Sequence, residues 1–80
     1  MTNPIDAHRG PTYFVWLDSN KKVATSTKIA NAIKRFEDKH GRPPEEVLIH
    51  ATAAGTRSPV PLRVEHFVKE HYFYLPIPDT

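Results

Sequence analysis

Residues 25–50 read TSTKIANAIKRFEDKHGRPPEEVLIH. Ile29, Ala32, Ile33 and Phe36 recur at the spacing of one helical face. Gly41 enters the left-handed conformation without steric cost, and Pro43 and Pro44 forbid further helical turns. Val47-Leu48-Ile49 then supplies a run of strand formers. The stretch predicts a helix over about 26–40, stopped firmly and followed by a strand. Thr25, Ser26 and Thr27 each suit the helix N-cap, where a side-chain oxygen accepts an otherwise orphaned N–H. Lys28, Asn31, Arg35 and Asp38 are assigned to the outer face of the helix. Lys34 and Asp38 stand four apart, the spacing of a helical ion pair.

Working outward, Tyr13 to Leu17 alternates as a strand. Phe14 and Trp16 point one way; Tyr13, Val15 and Leu17 point the other. Both sets are apolar, so this strand is covered on two sides or packs against a partner. Asp18-Ser19-Asn20 is a turn signal, because short polar side chains bond nearby backbone. Lys21 to Ala24 reads either as a return strand or as a plain connection into the helix. On the far side, 46–51 is a strand centred on Val47-Leu48-Ile49, and Thr52 to Pro59 is a loop of small residues around Gly55.

Two readings compete for 60–71. Val60, Leu62 and Val64 alternate as a strand does, and Tyr72-Phe73-Tyr74 is rich in strand formers. Against this, Val64, Phe67, Val68 and His71 keep helical spacing, and Glu65 and Lys69 form a favourable helical pair. We favour strands at 60–65 and 71–77 joined by a turn at 66–70, over a short helix at 61–70. Pro61 and Pro76 place these strands at an edge, or lie at strand ends. The expected fold is α+β: one main helix on an antiparallel or mixed sheet of three to four strands (13–17, 46–51, 60–65, 71–77). Residues 1–11 read as a flexible arm and 12–78 as a single domain.

Eighty residues bury only about 60% of their unfolded surface, so the core is small. Apolar residues at 39% and charged residues at 25% fit a globular chain rather than a disordered one. The sequence has no cysteine, which excludes disulfides, thiolate nucleophiles and zinc-finger patterns. No apolar run approaches the ~20 residues of a membrane span. Residues 1–10 are polar and lack a signal-peptide core, so the cytoplasm is the expected compartment. The net charge of +2 divides into +4 over residues 1–42 and −2 over 43–80. Dedicated nucleic-acid binders are more basic than this.

The motifs that carry chemistry are sparse. His8, His40, His50, His66 and His71 include no H-E-x-x-H. Across a hairpin His66 and His71 would face each other, with His50 as third ligand, but solvated or edge histidines are the simpler reading. No metal and no cofactor are assigned. Ser19, Ser26 and Ser58 sit in turn or cap contexts, and no G-x-S-x-G elbow is present. Glu37-Asp38 and Glu45-Glu46 are sequence neighbours, which do not converge on one substrate. The expectation is a non-enzyme. Ala54-Gly55-Thr56-Arg57-Ser58 resembles an anion cup but lacks the P-loop lysine and following helix, so it reads as a connection.

Two binding surfaces remain. A small sheet with one helix leaves a face uncovered. If Tyr13, Val15, Leu17, Tyr72 and Tyr74 collect there, they form an exposed apolar patch of the kind that marks a protein partner or a homodimer. Alternatively, Lys21, Lys22, Lys28, Lys34 and Arg35 beside Trp16 form a surface for single-stranded nucleic acid, by phosphate contact and base stacking. The first is the preferred function: a protein-interaction module that self-associates through an aromatic sheet face.

Overall fold

The structure is a computed structural model and describes residues 12–77. The expected arm at 1–11 and the domain limit at 78 lie outside the described residues. In chain order the elements are β1 (Thr12–Leu17), α1 (Thr25–His40), β2 (Val47–Ile49), a 3-10 turn (Ala51–Ala53), β3 (Leu62–Val64) and β4 (Tyr72–Ile77). The fold is α+β, one helix on a four-stranded mixed sheet in the order β1-β4-β2-β3. β4 runs antiparallel to both its neighbours, whereas β3 lies parallel to β2. A parallel pair needs a crossover rather than a tight turn, and residues 50–61 supply it.

The helix packs its apolar stripe on one sheet face. Ile29, Ala32, Ile33 and Phe36 form one buried cluster with Val47, Ile49, Ala53, Phe73 and Leu75. Phe14, Trp16, Val60, Leu62 and Ile77 close its rim. Full burial of each large side chain is worth ~1.5–3 kcal/mol, so this layer holds the domain together. Gly41 takes φ +80° and donates its N–H to Glu37 O at 2.8 Å, which ends α1.

The start of the helix differs from expectation. Ala24, not Thr25, Ser26 or Thr27, is the N-cap residue. Its carbonyl accepts from the N–H groups of Thr27 and Lys28 at 3.0 Å each, and no side chain caps the helix. Two Asx turns occupy the chain just before it: Asn20 N–H donates to Asp18 Oδ1 and Lys22 N–H to Asn20 Oδ1. Lys21 to Ala24 is a connection rather than a strand. Lys28 also differs, being only 4% exposed. It borders the apolar stripe one turn before Ala32, where a lysine stem packs against apolar surface.

β2 and β3 are each three residues, shorter than expected. Residues 61–70 form no helix, only β3 and an irregular segment. β4 is a central strand, so Pro76 is not at a sheet edge. Hydrogen-bond alternation explains how it is tolerated. Asp18 N–H donates to His71 O at 3.1 Å, one step beyond the Leu17↔Tyr72 pair. Bonded and non-bonded pairs alternate in antiparallel ladders. Phe73, Leu75 and Ile77 therefore bond β1, while Tyr74 and Pro76 turn their backbone toward β2. β2 pairs only through Leu48↔Tyr74 and Ile49↔Phe73, so Pro76 falls past its start and lacks no partner.

Candidate interaction surface

The alternation that buries Phe14 and Trp16 under the helix turns Tyr13, Val15 and Leu17 to the opposite face. On β4 it turns Tyr72 and Tyr74 the same way. Register then places them together: Val15 faces Tyr74, and Leu17 faces Tyr72. Tyr13 meets Tyr74 diagonally, ring centroids 5.4 Å apart and nearly edge to face, a favoured aromatic geometry. All five residues expected of the partner surface thus share one face. Val15 is 46% exposed and Leu17 54% exposed.

This face is partly roofed by a segment assigned above to a turn. Phe67 lies 6.3 Å from the Tyr13 ring and 5.6 Å from the Tyr74 ring, yet is itself 52% exposed. Leu48 and Val68 are fully buried but stand apart from the helix-side cluster. They form a small second layer on this face. Sequence reading missed Phe67, Val68 and the inward role of Leu48. The available signal was an apolar Phe-Val pair inside the charged stretch Glu65 to His71.

Charged side chains flank the patch on the β3 side and at Lys69. Arg63 bridges Glu46 at 3.2 Å and Glu65 at 3.1 Å on the β3 side. Such part-exposed pairs contribute little energy, and here they mark where the apolar patch ends. A shallow cleft of about 200 Å³ lies between Phe67, Lys69, Tyr72 and Tyr74.

The basic residues do not gather in the same way. Lys28 is buried, and Lys34 lies 3.9 Å from Asp38. Lys21 and Lys22 sit in the turn before α1. Only Arg35 meets Trp16, its guanidinium 5.7 Å from the ring centroid. They border a cleft of about 360 Å³ with Phe14, Asp38 and Lys39. Among the described residues, Trp16 Nε1 and His40 Nε2 are buried without hydrogen-bond partners.

The remaining motifs take local roles. His50 Nδ1 accepts from Thr52 N–H at 3.1 Å and lies 2.9 Å from Thr52 Oγ1, capping the 3-10 turn. His71 occupies a left-handed position at φ 73°. Among the described residues no group of three or more His, Asp or Glu converges as metal ligands do. In the Ala54–Ser58 loop, the N–H groups of Ala54 and Thr56 already donate to Ala51 O and Ala53 O. The Ser58 hydroxyl donates to Val60 O. Those groups are spent inside the loop. Among the described residues, no helix is long and apolar enough to cross a membrane. Compared with known proteins, the chain matches no family model, no curated protein and no solved structure.

Proposed function

We propose that this chain is a non-enzymatic protein-interaction module of the cytoplasm, which self-associates through the helix-free face of its sheet. One observation carries the reading. Tyr13, Val15, Leu17, Tyr72 and Tyr74, joined by Phe67, form one apolar and aromatic patch bordered by Lys69, with Val15, Leu17 and Phe67 about half exposed. A contiguous exposed apolar patch with a polar rim is the usual mark of an association surface. A second copy suits it because the patch is predominantly apolar and aromatic, with Lys69 at its border, so two such patches bury matching surface. The tyrosines combine an apolar ring with a polar hydroxyl, which suits a contact that forms and dissolves.

An NMR concentration series on the full chain tests this. Shifts that move with concentration are expected on Tyr13, Val15, Leu17, Phe67, Tyr72 and Tyr74. Spectra independent of concentration, or changes confined to the helix, contradict the reading. Nucleic-acid binding has thinner support, since Arg35 on Trp16 is the only basic–aromatic contact of its kind among the described residues. Adding mixed-sequence single-stranded oligonucleotide at low salt is expected to leave Trp16 and Arg35 unmoved.

A further inference from the structure

The two edges of the sheet are built differently. β3 is three residues long, follows Pro59 and Pro61, and carries Arg63 between two glutamates. Short length, prolines and charge are the devices that keep an edge from pairing. β1, at six residues, is twice as long and carries neither charge nor proline within its span, with Pro11 preceding it as Pro61 precedes β3. Its only strand neighbour among the described residues is β4.

The alternation derived above fixes which backbone groups β1 leaves open. Thr12, Phe14 and Trp16 bond β4, so Tyr13, Val15 and Leu17 direct N–H and C=O to the free edge. These three positions are symmetric about Val15. We propose that a second copy of this chain pairs with that edge, β1 antiparallel to β1, on a two-fold axis through Val15. This rests on the self-association reading above and places the contact at the β1 edge of the patch, so that the two patches join side by side rather than stack.

In this register Val15 opposes the partner's Val15, and Tyr13 opposes the partner's Leu17. Every outward N–H and C=O of β1 is then satisfied. The two apolar patches become continuous, with the half-exposed Val15 and Leu17 at the seam. On the helix side Phe14 stands opposite the partner's Trp16, in the closer non-hydrogen-bonded pairs. Thr12 stands opposite the partner's Asp18, a hydroxyl beside a carboxylate. The eight strands form one continuous sheet.

Amide hydrogen exchange on the full chain, followed through dilution, tests the pairing. The Tyr13, Val15 and Leu17 amides are expected to be protected in concentrated protein and to exchange roughly tenfold faster or more once diluted, while Phe14 and Trp16 stay protected throughout. Association with those three amides unprotected overturns the edge pairing and leaves face association standing. Protection that is independent of concentration shows the edge covered within one chain, residues 1–11 included, and overturns it too. Absence of any association overturns both readings. Cross-linking supplies the register. Opposed residues in a hydrogen-bonded pair have Cα atoms about 5.5 Å apart, within disulfide range, and the chain has no other cysteine. Val15→Cys is expected to oxidise to a covalent dimer faster than Lys39→Cys on the exposed helix; equal rates overturn the register. Val15→Pro removes only an outward N–H, which an edge strand tolerates, and is expected to abolish the concentration dependence.

Discussion

At the residue scale, the decisive side chains are those with no room to move. Phe36 is fully buried and lies edge-on to Phe14, ring centroids 6.0 Å apart. Phe36→Ala is expected to lower unfolding free energy by about 3–5 kcal/mol in urea denaturation, because it removes the largest helix contribution and leaves a cavity. His71 makes the opposite case. Its φ of 73° lies where β-carbon sterics cost most residues ~1–2 kcal/mol. Its backbone, rather than its imidazole, holds the β1–β4 ladder through Asp18. His71→Gly is therefore expected to be neutral or to stabilise by up to about 1 kcal/mol, the relief of strain offset by added freedom in the unfolded chain. A loss above that in the same denaturation assay would assign the ring a role.

At the element scale, the sequence was most legible where one signal acted alone. The apolar stripe from Ile29 to Phe36 and the stop at Gly41 identified α1 to within a residue. Strand alternation sorted Tyr13, Val15 and Leu17 from Phe14 and Trp16. Legibility failed where distant partners decide. Pro76 suggested a sheet edge or a strand end; β4 is central, and Pro76 lies next to its last residue, past the reach of β2. The hydroxyl run 25–27 offered three caps, yet Ala24 is the N-cap residue and its backbone carbonyl takes the first helical bonds. Phe67 and Val68 looked like turn residues because nothing local reports that 65–71 crosses the sheet face. The candidate surface was legible on β1 and β4, where period two suffices, and not on this roof. Two expectations follow. Ala24→Asp is expected to raise the melting temperature, supplying the missing cap at about 0.5–2 kcal/mol. Pro76→Ala is expected to stay within about 0.5 kcal/mol of the parent, since no neighbouring strand awaits its N–H; a clear gain in stability would mean that β2 extends further than Val47–Ile49.

At the scale of the whole molecule, the domain is one helix laid on one face of its sheet. The helix side supplies the core; the other side carries a thin second layer, Leu48 and Val68, under a patch that remains half-exposed. A chain this small has few means of burying a second apolar face by itself, which is the ground for the proposed self-association. Sedimentation velocity on the full chain, from micromolar to millimolar concentration, tests that claim most directly. The account expects a monomer–dimer equilibrium that Leu17→Lys shifts to higher concentration by tenfold or more, ~1.4 kcal/mol, without loss of the folded signal. A single 9.1 kDa species at every concentration, or a dimer indifferent to Leu17→Lys, would contradict it.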